Sequence, residues 1–431
     1  MTTKLVRSRL AREIEQATPA APQRRTFLKH SVALAGAVTG AGVLTRASAA
    51  ALEVPASMTT PGRPFSSYGQ PAATEAAVQR GILQPYGELA PGAGVSMTPL
   101  QDLEGVITPS GLHFERHHNG VPEIDPAMHE LLIHGLVARP LRFSMAALAR
   151  YPRASRICFI ECAGNSFFNA FPEPQQMSAG MIHGLVSCSE WTGVPLKLLL
   201  EEAGIDPAGK WILAEGADAA GMSRSVPLEK ALDDAILALF QNGERLRPEQ
   251  GYPLRLVLPG WEGNMNVKWL RRIKVTAEPT QTKDETSKYT DLLPDGKARQ
   301  FTYEMGVKSL ITQPSLGTQL DGAGFYEISG LAWSGAGSIS RVEVSTDGGA
   351  NWVEAELQGP VMDKALTRFR LPWDWDGQAT QLMSRAYDSE GNQQPLRADW
   401  KPQYHGSNIY HYNAIQTWQL SAAGEISNAF V

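Results

Sequence analysis

Cys162 is the residue whose type and surroundings most directly suggest chemistry. The 431-residue chain has three cysteines, and this one follows a strand-like apolar run and precedes Ala163 and Gly164, whose small size leaves the sulfur approachable. A thiolate binds thiophilic metals, although a buried thiol acting as a small apolar side chain fits the sequence as well. Because no C-x-x-C pair accompanies it, a metal at Cys162 would take its other ligands from a cofactor.

Three separated stretches carry groups that could hold such a cofactor by its anionic part. Residues 111–120 contain Arg116 and three histidines, residues 251–255 place Arg255 in an apolar run, and the glycine-rich residues 259–269 contain Lys268. Arginine suits phosphate through its planar fork, and glycine-rich turns bring backbone N–H groups close to an anion. Each stretch alone could be a solvated loop, an ion-pair partner or a plain turn. Together they predict a pocket for a phosphorylated cofactor.

Composition sets limits on the class of protein. Hydrophobic residues make up 43% and charged residues 19% of the chain, which is typical of a globular protein. The net charge of -5, without a dense basic patch, argues against a nucleic-acid partner. The length predicts two folded domains with accessory segments.

The first 49 residues are interpreted as a twin-arginine signal peptide. Arg24 and Arg25 precede an uncharged stretch at 31–45 that is too short to cross a bilayer, and Ala47-Ser48-Ala49 matches a signal-peptidase site. We therefore expect export of the folded protein to the periplasm, with no membrane span. This route suits a cofactor that is inserted in the cytoplasm.

The elements expected to position these groups fall into two domains. Residues 50–100 are predicted to form an extended arm that carries no chemistry. Residues 101–305 mix strand patterns at 130–137, 155–160, 210–215 and 253–258 with helical ones at 144–150, 196–203 and 227–241, which predicts an α+β domain. Alternating strands and the turn at 346–349 predict an immunoglobulin-like β-sandwich at 306–431.

Three cysteines cannot all pair within one chain. In an oxidising compartment, a disulfide between Cys158 and Cys188 is possible, which would leave Cys162 single. The chain has no C-x-x-C-H motif, so we expect no c-type haem on it.

Four ordered motifs resemble the sulfite oxidase family of molybdopterin enzymes. They are CAGN at 162–165, EWTGVPL at 190–196, YP at 252–253 and VKWL at 267–270, and the resemblance runs from about residue 112 to the end. The segment at 261–269 is most similar to the molybdenum subunits of sulfane dehydrogenases of the sulfur-oxidising (Sox) system. The resemblance implies a sulfite-oxidase-type molybdopterin domain followed by an immunoglobulin-like dimerisation domain.

The resemblance also implies site residues. Cys162 would bind molybdenum beside the molybdopterin cofactor, and Arg116 would face the substrate. Either Tyr289 or Tyr303 would approach the metal. The cofactor-binding residues would be Phe114, Glu115, Arg116, His117, His118, Asp218, Arg255, Asn266, Val267 and Lys268.

Departures from the family pattern bear on the substrate. Members that oxidise free sulfite have basic residues where this chain has Ser166, Phe167 and Thr417. The resemblance therefore implies oxidation of a sulfane sulfur on a carrier protein, with a c-type cytochrome as electron acceptor and a homodimer or heterotetramer as the assembly. The alternatives are a free-sulfite dehydrogenase, a periplasmic methionine-sulfoxide reductase and, in another class, a non-catalytic periplasmic binding protein.

Overall fold

The computed structural model describes residues 54–85 and 87–430. Two compact units divide at residue 70, and the described part of the first contains a 3-10 turn at Ala56–Met58. Both predicted domains lie in the second unit, which begins at Pro71. The predicted signal peptide lies outside the described residues. Within 54–85 and 87–430, no helix is long and apolar enough to cross a membrane.

The part of the second unit that carries Cys162 is built mainly of strands. Its strands are β1 Gly81–Leu83, β2 Gly94–Met97, β3 Glu115–His117, β4 Glu130–Gly135, β5 Leu141–Ser144, β6 Ala154–Glu161, β7 Val186–Pro195, β8 Trp211–Gly216, β9 Ser223–Pro227, β10 Ile236–Gln241, β11 Glu244–Arg245, β12 Arg255–Val257, β13 Leu270–Thr276, β14 Asp291–Leu292 and β15 Ala298–Arg299. Its α-helices are α1 Met145–Leu148, α2 Ala179–His183, α3 Leu196–Ala203, α4 Leu228–Asp233 and α5 Lys283–Thr286. The 3-10 turns of this part are Ala73–Glu75, Gly87–Leu89, Leu100–Asp102, Ser110–Leu112, Phe167–Ala170, Pro248–Gln250 and Gly263–Met265.

Four sheets organise these strands, the smallest being the pair β14-β15. The first has the order β1-β2-β3, the second β11-β10-β7-β6 with β12 also beside β10, and the third β5-β4-β13-β8-β9. Helix α3 has the predicted bounds and buries Leu196, Leu199, Leu200 and Ala203, the one-sided spacing of an amphipathic helix. These side chains join the core shared by the second and third sheets.

The carboxyl-terminal part is the predicted β-sandwich. Its strands are β16 Lys308–Gln313, β17 Gly324–Trp333, β18 Ile339–Ser345, β19 Val353–Glu354, β20 Glu356–Leu357, β21 Thr367–Trp375, β22 Thr380–Asp388, β23 Thr417–Leu420 and β24 Ile426–Ala429. They form two sheets, β16-β17-β21-β20 and β19-β18-β22-β23-β24. Between β22 and β23 lie α6 at Arg397–Trp400 and a 3-10 turn at Lys401–Gln403.

The inward side chains of the two sandwich sheets form one core. Leu331 from one sheet and Val342 and Trp418 from the other belong to the same buried cluster. The predicted turn at 346–349 joins β18 to β19, with both glycines in the left-handed region. The mixed α+β fold with a β-sandwich is therefore confirmed.

Two expectations about elements were wrong. The predicted arm contains β1 and β2; β1 pairs with β2, and β2 pairs with β3 beside Arg116, so the arm extends the fold. The predicted helix at 227–241 divides into helix α4 and strand β10. Residues 236–239 are all buried, so this strand reads as a continuous apolar run, which periodicity cannot distinguish from a helix.

The possible disulfide between Cys158 and Cys188 does not form, and all three cysteines are free. In the pairing of β6 with β7, Phe159 lies opposite Cys188 and Cys158 lies opposite Ser189. Because consecutive strand residues point to opposite faces, the two thiols lie on opposite sides of the sheet. The offset of one residue therefore prevents the bridge.

Candidate functional site

Cys162 lies directly after β6, in a tight turn at 161–166 that we call the Cys162 loop. Its backbone N–H donates to the Leu185 carbonyl at 2.9 Å, and its own carbonyl accepts from the Asn165 N–H at 2.8 Å. The Asn165 side-chain oxygen accepts from the Leu185 N–H at 3.1 Å. The loop is thus fixed to the main fold, and Cys162 lines two adjoining cavities.

The inner cavity collects the predicted cofactor-binding residues. It encloses about 680 Å³ of empty space, part of it open to solvent. Of the predicted residues, all except Glu115 line it. The complete lining is His113, Phe114, Arg116, His117, His118, Ile160, Cys162, Asp218, Met222, Gln250, Arg255, Gly263, Asn264, Asn266, Val267, Lys268, Trp269 and Tyr289.

Two buried cations face this cavity. Arg255 donates from its terminal nitrogens to the backbone carbonyls of Gln250 at 3.0 Å and Asn266 at 3.1 Å, and its guanidinium lies 4.8 Å from the centroid of the Trp191 ring. Burial lowers the pKa of Arg255 to about 9. Burial, with Arg255 nearby, also lowers the pKa of Lys268 well below its usual value. A bound anion would compensate the desolvation of both groups.

Glu115 does not line the cavity but contacts His117, which does. Lys268 Nζ donates to His117 Nδ1 at 2.8 Å, and His117 Nε2 donates to Glu115 Oε2 at 2.8 Å. Glu115 also pairs with Arg80. Burial raises the pKa of Glu115, but the hydrogen bond from His117 and the charge of Arg80 outweigh that effect and lower it. Glu115 therefore positions His117 and, through it, Lys268.

The glycine-rich loop brings backbone close to Cys162. A Cβ on Gly263 would lie 3.2 Å from the Cys162 Cα and 3.0 Å from the Glu161 carbonyl oxygen. Asn266 ties the loop together, because its side-chain oxygen accepts from the Leu258 N–H at 2.7 Å and its amide nitrogen donates to the Glu262 carbonyl at 3.1 Å.

The donor set fits a molybdopterin cofactor. The Arg255 Nε and both side-chain polar atoms of Asn264 are buried without a hydrogen-bond partner among the described residues, so the cavity lining keeps unused polar groups. Burial raises the pKa of the Cys162 thiol, while a backbone N–H and Arg116 oppose that effect. A soft thiol and buried cations around one cavity match a metal held beside an anionic organic group.

The structure distinguishes the two candidate tyrosines. Tyr289 lines both cavities, and its hydroxyl lies 3.2 Å from His118 Nε2. Tyr303 lines neither cavity and stacks on Trp261 with ring centroids 4.4 Å apart.

The sequence interpretation did not include several cavity residues, among them Met222, Gln250, Asn264 and Trp269. Asn264 and Trp269 lie within the glycine-rich stretch that drew attention, and Gln250 directly precedes the stretch that contains Arg255. Their adjacency to these motifs was the signal by which the sequence could have identified them as cavity residues. Met222 carried no such signal.

The outer cavity forms the mouth of the site. It encloses about 1650 Å³ of empty space, including open solvent. Cys162, Arg116, His118 and Tyr289 line it together with Leu83, Pro85, Ala90, Ala93, Gly94, Val95, Asn119, Gly164, Phe167, Leu185, Ala219, Ala220, Lys283, Lys288, Ile409 and Tyr410. Six of these residues belong to the predicted arm, so the arm does contribute to the site.

Only one of the three positions that depart from the family pattern faces the mouth. Phe167 lines it, whereas Ser166 and Thr417 line neither cavity. Ser166 is fully buried, and its hydroxyl contacts His183 and Lys308. Arg116, Lys283 and Lys288 keep positive charge at the mouth. The expected loss of charge at the mouth is therefore limited to Phe167.

Comparisons with known proteins agree with this site. An oxidoreductase molybdopterin binding domain matches residues 118–283, and a Mo-co oxidoreductase dimerisation domain matches residues 299–418. Sulfite oxidase of Gallus gallus is 31% identical over 319 residues, which are 68% of this chain and 69% of that protein. An NADH nitrate reductase of Brassica napus is 33% identical over 341 residues, covering 69% of this chain and 37% of that protein.

A third relative and a solved structure extend the comparison. The chain spans 62% of the mitochondrial sulfite oxidase of Rattus norvegicus, at 30% identity. A crystal structure of the sulfane dehydrogenase SoxCD from Paracoccus pantotrophus matches with a TM-score of 0.85 and 46% identity, over 88% of this chain and 98% of that one. The chain belongs to the sulfite oxidase family and is a molybdenum oxidoreductase of that family.

Proposed function

We propose that this chain oxidises a sulfane sulfur carried on a protein and passes the electrons to a c-type cytochrome. The observation that carries the proposal is the mouth beside Cys162, which is wide, open and lined largely by apolar and small residues. The likeness to a crystal structure titled as a sulfane dehydrogenase supports it.

The bound cofactor would supply the oxygen-atom transfer and accept two electrons. The chain supplies positions and charges. Cys162 would bind the metal, Arg255 and Lys268 would hold the anionic part of the cofactor, and Arg116, which lines both cavities, would orient the substrate. Burial keeps His118 neutral, with its pKa lowered to about 3. Its Nε2 can therefore accept a hydrogen bond from the Tyr289 hydroxyl.

Phe167 disfavours a small free dianion. Its ring contacts Phe168, with centroids 4.0 Å apart, and it offers no donor where a charged fork would form charge-assisted hydrogen bonds worth about 1.5–3 kcal/mol each. A sulfane sulfur on a protein carries less charge and can use the width of the mouth.

Free-sulfite oxidation is the second candidate. The three cations at the mouth, Arg116, Lys283 and Lys288, favour it because they would attract an anion. A methionine-sulfoxide reductase has less support, since the chain carries the complete β-sandwich. Family membership disfavours a non-catalytic binding protein.

The experiment compares kcat/KM for sulfite and for a persulfidated carrier protein, with a c-type cytochrome as acceptor. We expect the carrier to be preferred, and Phe167→Arg to raise kcat/KM for sulfite by about tenfold, equal to about 1.4 kcal/mol. Phe171→Arg is the matched control, because Phe171 contacts Phe167 at 6.3 Å between centroids but lies outside the mouth. A wild-type preference for sulfite would establish the second candidate instead.

The partners and location are proposals as well. We propose a c-type cytochrome as the separate electron acceptor, since the given sequence contains no C-x-x-C-H motif for attaching a haem. The twin-arginine pattern supports periplasmic export, and secretion of a reporter fused to residues 1–49 would test it. Mutation of Arg24 and Arg25 to Lys should abolish that secretion.

A further inference from the structure

A lysine from the β-sandwich lies buried behind the Cys162 loop. Lys308 is the first residue of β16 and its side chain is 2% exposed. Its ammonium nitrogen lies 3.3 Å from Glu161 Oε1, 2.6 Å from Ser166 Oγ and 3.0 Å from the Tyr412 carbonyl oxygen. An ammonium has three N–H donors, so all three are used, two of them on the loop.

The carboxylate of Glu161 is bound from both sides. Its Oε1 also accepts from Asn165 Nδ2 at 2.8 Å, within the loop, and its Oε2 accepts from Trp333 Nε1 at 2.7 Å. Trp333 belongs to β17, so a second sandwich side chain holds the residue directly before Cys162. The pair is buried, and a buried charge without its partner is costly.

Ser166 anchors the other end of the loop. Its backbone is left-handed, with φ of 69°, a conformation that costs a non-glycine residue energy. Because Lys308 can only donate, the Ser166 hydroxyl accepts from it and donates to His183 Nδ1 at 2.7 Å. His183 Nε2 then donates to Gln416 Oε1 at 2.9 Å, which continues the network into the sandwich.

We propose that Lys308 is a positioning residue: together with Trp333 it holds both ends of the Cys162 loop, so that the β-sandwich sets the position of the metal-binding sulfur. Lys308 and Trp333 line neither cavity. They therefore act on the site through the loop. The inference concerns the metal ligand and does not depend on which sulfur compound is the substrate.

The test measures the metal site of Lys308→Met directly. The readouts are the Mo(V) electron paramagnetic resonance spectrum, the molybdenum content, the melting temperature, and kcat and KM with sulfite and ferricyanide as probes. We expect altered g values and a decrease in kcat of about tenfold or more, since small misplacements in a site have such effects. KM should change less than kcat. Unchanged g values in a molybdenum-loaded variant would overturn the proposal.

A double variant separates positioning from stability. Lys308→Met combined with Glu161→Gln removes both charges, so the melting temperature should return towards that of the wild type. The spectrum and kcat should stay altered, because Ser166 and Tyr412 still lack their donor. If both recover together with the melting temperature, Lys308 has only a structural role and the proposal is wrong.

Lys364→Met is the matched control. Lys364 is also a sandwich lysine that pairs with a carboxylate of the other domain, Asp234, at 3.2 Å. In the described part of the chain its ammonium forms no hydrogen bond or ion pair with residues 161–166, and Asp234 keeps its ion pair with Lys230 at 2.7 Å. The Mo(V) spectrum of Lys364→Met should match that of the wild type. A spectral change as large as that of Lys308→Met would show that any interface charge suffices and would refute the specific role of Lys308.

Discussion

His411 should make stability depend on pH well above neutrality. Its side chain is buried between two carboxylates, with Nδ1 2.8 Å from Asp291 Oδ2 and Nε2 3.4 Å from Glu262 Oε2. Its backbone N–H donates to the Ala163 carbonyl at 2.8 Å, one residue after Cys162. A charged His411 therefore joins the segment that carries Tyr410 to the catalytic part of the chain.

The magnitude follows from the pKa of His411. Burial lowers this pKa, but Asp291 and Glu262 outweigh burial and raise it from 6.5 to about 10. A raised folded-state pKa contributes stability that is complete below the unfolded value and is lost as pH rises through the folded value. Between about pH 7.5 and 10.5, the loss is on the order of 3 kcal/mol, or roughly 4 °C in melting temperature for a chain of this length.

The assay is the melting temperature of wild type and His411→Gln across this pH range. Between about pH 7.5 and 10.5 the wild type should lose more stability than His411→Gln, by on the order of 3 kcal/mol. Asp291→Asn should reduce this pH-dependent loss, because it removes the closer carboxylate. His405→Gln, at an exposed histidine nearby, controls for general alkaline effects. Parallel curves for wild type and His411→Gln would refute the reasoning.

Two further predictions concern the metal ligand and the assembly. Cys162→Ser should lower molybdenum content and turnover at least tenfold, a barrier of about 1.4 kcal/mol or more, while circular dichroism stays unchanged; activity above a tenth of wild type would argue against the ligand role. Sedimentation of the purified chain at micromolar concentration should show a dimer, consistent with the match to a dimerisation domain, and a pure monomer would contradict self-association.

Local pattern was sufficient for much of the fold. Helix α3 could be predicted because four apolar residues fall on one face, and the hairpin after β18 because two glycines occupy the turn. Strand β10 could not be predicted, since a strand buried on both faces lacks the alternation of apolar and polar residues that distinguishes a strand from a helix. The sheet formed by β1, β2 and β3 could not be predicted either, because these strands are only three or four residues long.

Residue types and spacing determined the class of chemistry at the site. A lone accessible cysteine, two cations in apolar or glycine-rich surroundings and a histidine cluster indicated an anionic, metal-bearing cofactor, and the structure brings these stretches together around one cavity. The same local information could not reveal which side chains near Cys162 point away from the cavity. Ser166 follows Cys162 by four positions, yet it points into the domain interface.

What only the tertiary structure decided is how the site is held. Lys308 bonds to Glu161 across 147 residues and His411 bonds to Asp291 across 120, and neither lysine nor histidine stands in a motif that marks such a role. The sequence alone reveals chemistry that depends on residues close together in the chain. Long-range ion pairs depend on how the two domains pack. Packing decides which charged side chains are buried and must therefore find a partner. This packing exists only once the whole chain has folded.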